Sequence, residues 1–415
     1  MAASVHELRV DGQRLWASLM ELAQIGATPK GGVCRLALSD LDRQARDWLC
    51  AQGRALGMSV RVDAIGNIFL RRAGLRDDLP PVMTGSHIDT QPTGGKFDGN
   101  YGVLAGLEVV RTLNAHGVQT QAPIEVVSWT NEEGSRFVPV MMGSGVHVGA
   151  IALEAAYAAR DADGVSVREA LSGIGYLGEK PMQAAPVAAY FEAHIEQGPV
   201  LEQHNAVIGV VPGVLGIRWF DCTVTGMEAH AGPTPMAMRQ DAMQGAARLM
   251  QMVVDLAHAF APHGRGTVGM VQVYPNSRNV IPGQVRFSVD LRASSDTDVD
   301  AMAERFAQRA QELVSGLGLS MSLVPVSAYP AQVFAPKCQA LIEQAAQRLG
   351  LAHMPVVSGA GHDAVYMARV APTGMIFIPC AGGISHNEIE DAKPEHITAG
   401  ADVLLQAMLA VAEVA

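Results

Sequence analysis

The chain has 415 residues, about half of them hydrophobic, with 43 glycines, 20 methionines and few aromatics, which suits two domains with large aliphatic cores. A net charge of −11, with no long run of either sign, argues against nucleic-acid binding or a basic membrane-surface role, although local arginines can still receive an anionic substrate. Five scattered cysteines without a CxxC pair, an N-terminus unlike a signal peptide, and no apolar run near the roughly 20 residues of a membrane span imply a soluble, cytoplasmic protein with reduced thiols.

Apolar spacing (Leu8, Leu15, Leu19, Leu22) predicts a helix from about Val5 to Gly26. A loop follows, and Ser39 is placed to cap a second helix that runs to Leu56 and stops at Gly57. The alternating, β-branched stretch 58–70 predicts a hairpin that turns near Gly66-Asn67. Residues 83–106 form a strand tail, a polar end carrying Ser86-His87-Ile88-Asp89, a Gly-rich crossing, and Asp98 just before a helix that begins near Gly102. Alternate strand side chains share a face, so His87 and Asp89 point the same way, as a metal ligand and its orienting carboxylate do. The run Ile124–Trp129 is a buried strand that ends in Glu132-Glu133. The Ala/Gly-rich segment 143–185 carries helical patches and little legible chemistry.

Tyr190 to Gln197 is strand-like, with Glu192, His194 and Glu196 on one face. From about Val214 the order becomes strand (217–224), helix (241–260), strand (267–274), strand (284–292), helix (296–316), strand (320–327). This β-α-β-β-α-β order is that of a ferredoxin-like sandwich, read as a second domain over 213–330 with hinges near Val211-Pro212-Gly213 and Tyr329-Pro330-Ala331. It carries His230 in a Gly/Pro loop, Asn279 in a turn, and Arg292 at a strand end. An imidazole, an amide and a guanidinium suit recognition of a carboxylate. The first domain, residues 1–212, resumes over 331–415 with a helix from Pro336, a polar loop SGAGHDAVYMA, a buried strand 373–379 running on to His386, and a closing helix from Pro394.

The strand-end groups are His87, Asp98, Glu132, Glu133, His194 and His386. Imidazoles and carboxylates without thiolates suit Zn²⁺, Mn²⁺, Co²⁺ or Ni²⁺ in a catalytic site. Five such groups, one of them bridging, give two cations three protein ligands each, and the sixth is left as general base. Spacing does not divide these roles among them.

The stretches GSHIDTQPTGGKFDGNYGVLAGLEV, WTNEEGSRF, HIEQGPVLE, GMEAHAGPTPM, RNVIPG, DLR, SGAGHDA and GISHNE resemble the amidohydrolase branch of the M20 metallopeptidase family. That branch groups N-carbamoyl-L-amino-acid hydrolases, β-ureidopropionases and allantoate amidohydrolases. The resemblance implies an α/β, zinc-aminopeptidase-like metal-binding domain interrupted by a ferredoxin-like α+β lid and dimerisation domain. It implies two divalent metal ions per subunit bridged by Asp98, with His87 and His194 completing one site and Glu133 and His386 the other. Glu132 would be the base and Asp89 the orienter behind His87. His230, Asn279 and Arg292 would bind substrate and stabilise the tetrahedral intermediate, with His230 reaching in from the partner of a homodimer; Gln197 and Arg218 are weaker candidates for the same pocket. The expected reaction is hydrolysis of the carbamoyl C–N bond of an N-carbamoyl amino acid, with allantoate as the alternative small anionic ureido substrate.

Overall fold

The computed structural model describes residues 5–179 and 186–414. The chain forms two compact units. One takes the chain through Pro212, Phe334–Val356, and everything from Ala360; the other takes Gly213–Val333 with Val357–Gly359.

The larger unit is built on an eight-stranded mixed sheet. Its order is Ser59–Val62, Ile68–Arg72, Ile124–Trp129, Val82–His87, Ala189–Ile195, Thr373–Ile378, Ile208–Val211, His353–Pro355. The four central strands, from Ile124–Trp129 to Thr373–Ile378, are mutually parallel. Every residue in them is buried, as expected of a sheet covered on both faces. Parallel strands bring their carboxyl ends to one edge, so the residues at and just beyond 87, 129, 195 and 378 converge there. The helices Asn100–Ala115, Pro336–Arg348 and Pro394–Ala412 pack on this sheet, and Gly12–Leu22 packs against the first and last of them, around a core that includes Leu104, Phe191, Ile376 and Leu404.

Most local expectations are matched. Ser39 caps Asp40–Ala55 by accepting the Asp42 N–H, and the hairpin pairs Ser59–Val62 with Ile68–Arg72. The hairpin turn is closed by Asp63, whose carboxylate accepts the N–H groups of Ile65 and Asn67. The first expected helix is shorter, Gly12–Leu22, because Asp11 caps it by accepting the Arg14 N–H. Segment 143–179 yields three short helices, Met142–His147, Leu153–Ala158 and Val167–Ile174; residues 180–185 lie outside the described residues. Glu196 lies just past its strand, where it accepts the N–H groups of Val200 and Leu201.

The smaller unit has its own core, including Val224, Leu249, Phe287 and Phe306. Its antiparallel sheet has the order Arg265–Thr267, Gln284–Ala293, Gly216–Thr225, Ser320–Tyr329, and Val271–Tyr274 also pairs with Gln284–Ala293. The helices Ala242–Ala259 and Asp296–Gly316 pack on it. The expected strand 267–274 is broken in two. Thr267 pairs with Asp290 and Val271 with Phe287, so three residues face two, and Ser288 Oγ accepts the N–H groups of Gly269 and Met270 in the bulge. Among the described residues no helix is long and apolar enough to cross a membrane.

One buried ion pair links this scaffold to the carboxyl edge of the sheet. Arg46 Nε donates to Asp42 Oδ2 at 2.7 Å, with neither side chain exposed, and the same guanidinium reaches the carbonyl of Gly66 and Oγ1 of Thr130. Removing it strands a buried carboxylate. Arg46→Met is expected to cost about 3–5 kcal/mol of stability, read from urea unfolding followed by circular dichroism; a loss within experimental error would contradict the assignment.

Candidate metal centre

All six expected ligand and base residues meet at the carboxyl edge of the larger unit's sheet. His87 ends its strand, and His194 sits one residue before the end of the next. Asp98 precedes the helix Asn100–Ala115, Glu132 and Glu133 follow Ile124–Trp129, and His386 follows Thr373–Ile378. Asp98 is the centre. Its Oδ1 lies 3.6 Å from His87 Nε2 and 3.2 Å from His194 Nε2. Its Oδ2 lies 3.4 Å from His386 Nε2, which is also 3.4 Å from Glu133 Oε2. Two triads result, His87–Asp98–His194 and Asp98–Glu133–His386, each with its ligand atoms within 4.8 Å of one another. Glu132 belongs to neither, although its Oε2 is 3.5 Å from His87 Nε2.

Hydrogen bonds fix the ring orientations. His87 Nδ1 bonds the carbonyl of Asp89 and His194 Nδ1 that of Ile195, both at 2.9 Å. Each Nε2 is thereby left with its lone pair toward the cluster. Asp89 acts differently from the expectation. Its carboxylate is 3.9 Å from His87 Nδ1 and instead accepts the N–H groups of Glu132 and Glu133, at 3.2 Å each. Asp89 therefore orients His87 through its backbone and the two glutamates through its side chain.

The electrostatics are those of a site built to receive positive charge. Burial opposes a charge on His87 and His194, yet the surrounding carboxylates hold both rings above the ordinary histidine range. The hydrogen bond to Asp98 lifts His386 to about 9. Burial works against ionised Asp98, but the three imidazoles pull it well below the usual carboxylate value. Burial, then Asp98, pushes Glu133 up to about 7, and burial also raises Glu132. Nitrogen and oxygen donors in two triads, with no thiolate, fit hard or borderline divalent cations.

Several residues support the cluster in roles that the sequence does not assign. Fully buried Arg35 donates to the carbonyls of Leu22, Ile25 and Ile88 and to Asn100 Oδ1, pinning both ends of the crossing between His87 and Asp98. Gln91 donates its backbone N–H and its amide to the Glu133 carboxylate. His362 packs its ring 4.6 Å from that of His194. Asp363 accepts from Ser144 Oγ at 2.5 Å. Glu192 accepts from Ser86 Oγ and the Ala364 N–H. The motif SGAGHDA was visible, but its connection to these groups is made only by the fold.

The remaining expected residues divide between the units. In the larger, Gln197 Nε2 donates to Asp98 Oδ2 at 2.8 Å, and its buried Oε1 has no partner among the described residues. In the smaller, His230 and Asn279 are brought together. Residue 230 pairs with Val280, and the Ala231 N–H donates to the Asn279 carbonyl. Arg292 is braced by Asp290 and donates to the Gly359 carbonyl. Arg218, weighed as a substrate group, spends its guanidinium on Asp296, Asp300 and the carbonyls of Ile217 and Tyr329, which is the role of a strut.

The chain matches Peptidase family M20/M25/M40 over residues 83–410 and belongs to that family. It is 48% identical to an N-carbamoyl-L-amino-acid amidohydrolase of Rhizobium meliloti, with all of both chains covered. It is 40% identical to the N-carbamoyl-L-amino acid amidohydrolase of Geobacillus stearothermophilus, over 97% of this chain and 99% of that one. Among solved structures, a hydantoinase/carbamoylase family amidase from Burkholderia multivorans superposes with a TM-score of 0.96 at 54% identity, over 98% of each chain.

Gly99 shows how closely the ligands are fitted. It takes φ +66°, and a Cβ there would lie 2.3 Å from the His87 ring. Gly99→Ala is expected to weaken divalent-cation binding by at least about tenfold with the far-ultraviolet dichroism unchanged. Wild-type affinity, measured by chelator competition, would contradict the placement of His87.

Proposed function

We propose that this protein is a metal-dependent amidohydrolase that cleaves the carbamoyl C–N bond of N-carbamoyl-L-amino acids, giving the amino acid, CO₂ and ammonia. One observation carries the reading. The two ligand triads share Asp98 and leave out Glu132, in a chain whose full-length relatives bear that activity in their names.

Two divalent cations, Zn²⁺ or Mn²⁺, Co²⁺ or Ni²⁺, are assigned to the triads, one held by His87, Asp98 and His194 and the other by Asp98, Glu133 and His386. Bound there, they supply Lewis acidity toward the ureido carbonyl and toward water. Glu132 is the residue free to accept the proton of the attacking water and hand it to the leaving nitrogen. Asp89 holds the Glu132 backbone in place for both transfers. The unpartnered Oε1 of Gln197 is an acceptor that a ureido N–H satisfies, since a buried polar atom without a partner costs about 1–3 kcal/mol.

Arg292, its planar fork braced by Asp290, is assigned to the substrate carboxylate together with Asn279. His230, exposed at its short strand, is assigned to the developing oxyanion from the partner of a homodimer. The smaller unit is assigned to the ferredoxin-like class and to the lid and dimerisation role.

The test is ammonia release by the metal-reconstituted protein, with N-carbamoyl-L-α-amino acids, N-carbamoyl-β-alanine and allantoate side by side. The N-carbamoyl-L-α-amino acids are expected to give the highest kcat/KM. Glu132→Gln is expected to lower kcat by about 10²–10⁴ with cation content retained. Preference for allantoate would overturn the substrate assignment, and near-wild-type turnover by Glu132→Gln would overturn the base.

A further inference from the structure

We propose that Glu390, a buried carboxylate in neither triad, is a positioning residue that locks the loop of Asp98 to the loop of His386. It thereby sets the geometry of the Asp98–Glu133–His386 triad in preference to that of His87–Asp98–His194. The inference rests on the two-cation reading given above.

Glu390 is 1% exposed and uses both of its oxygens. Oε1 accepts the backbone N–H groups of Phe97 (2.9 Å) and Asp98 (3.1 Å). Those amides lie between Gly94-Gly95 and the helix that starts at Asn100, outside any helix or strand, and buried amides need a partner. Oε2 accepts Ser385 Oγ at 2.9 Å. The same hydroxyl stands 3.0 Å from Asp98 Oδ2, the oxygen that faces His386 Nε2. Ser385 Oγ, with its single proton, thus sits between the two carboxylates, and contacts run from the Asp98 N–H to Glu390, on to Ser385, and back to the Asp98 carboxylate. His386 is the next residue along the chain from Ser385.

Two features show that the surroundings are shaped to this carboxylate. A Cβ on Gly95 would lie 2.1 Å from Glu390 Oε1, so the crossing tolerates no side chain where Glu390 passes. The Glu390 N–H donates to the Asn387 carbonyl, a turn that folds its side chain back beneath Ser385. His386 takes φ +53°, a left-handed backbone conformation that a non-glycine residue keeps only where its surroundings hold it. The Ser385–Glu390 bond is one such hold.

Selectivity follows from what carries each ligand. His87 and His194 stand on central strands, with their Nδ1 atoms fixed by carbonyls. Glu133 is held by Asp89 and Gln91. Asp98 serves both triads, but the Glu390–Ser385 contact reaches its Oδ2, the oxygen that faces His386, and His386 itself stands on the loop that Glu390 ties to that of Asp98.

The test titrates the apoprotein with Co²⁺ and reads both visible absorbance and chelator competition for Glu390→Ala, Glu390→Gln and Ser385→Ala. Hydrogen exchange at Phe97 and Asp98 is followed in parallel. Glu390→Ala is expected to weaken one cation by about tenfold or more, to leave the other within about twofold, and to speed exchange at both amides. Gln keeps an acceptor for the amides and gains a donor for Ser385 Oγ, so Glu390→Gln is expected to restore binding to within about threefold of wild type. Ser385→Ala keeps the amide anchor and, even if Glu390→Ala does not fold, is expected to weaken the same cation while leaving exchange at 97 and 98 unchanged. Wild-type binding by Glu390→Ala, equal weakening of both cations, or no rescue by Gln would overturn the proposal alone. A wild-type protein that takes up a single cation would overturn the two-cation reading and this proposal with it.

Discussion

Asp98 sets one carboxylate against three imidazoles, with Oδ1 toward His87 and His194 and Oδ2 toward His386. A carboxylate so placed is worth little unless its neighbours are held, because two oxygens must face two separate directions within a few tenths of an ångström. Much of the larger unit serves that requirement. The parallel strands deliver the histidines, Gly99 clears space for the His87 ring, and Arg35 clamps the ends of the crossing. A buried guanidinium with four neutral acceptors is an expensive device. Burial brings its pKa down to about 10, so it stays charged beneath a cluster rich in carboxylates.

Most parts of this arrangement that were legible in the sequence share one property: each is a polar residue at or beyond the end of an apolar run, Asp98 being the exception, reached through a Gly-rich crossing. His87, Glu132, Glu133, His194 and His386 were visible because a strand buried on both faces leaves an unbroken hydrophobic signature, and the chemistry begins where it stops. Secondary structure was legible where caps or periodicity are strong, as at Ser39, Asp241 and Asp296–Gly316. What escaped depends on distance along the chain. Glu390 meets Phe97 across 293 positions, and Arg35 meets Asn100 across 65; neither contact leaves a local pattern. The break in 267–274 escaped because a bulge answers to its partner strand, here through Ser288, and not to its own sequence. Asp89 was read correctly as adjacent to His87, but strand alternation could not reveal that its carboxylate turns to the Glu132-Glu133 backbone.

The smaller unit folds around a core of its own. Its candidate groups are held by ordinary means: a short pairing for His230 and Asn279, and an aspartate brace for Arg292. Arg218 is instructive beside Arg292. Both are arginines on neighbouring antiparallel strands, and the sequence ranks Arg218 below Arg292 without giving it another role. Arg218 meets two acidic side chains of the helix Asp296–Gly316 and two backbone carbonyls, so its charge serves the scaffold.

The measurement that tests the central claim most directly is anomalous diffraction from crystals of the zinc-loaded protein at the zinc absorption edge. Two peaks are expected roughly 3.5–4 Å apart, one on each side of the Asp98 carboxylate, the first touching His87 and His194 and the second Glu133 and His386. A single peak, or a second peak that does not touch Asp98, would contradict that claim.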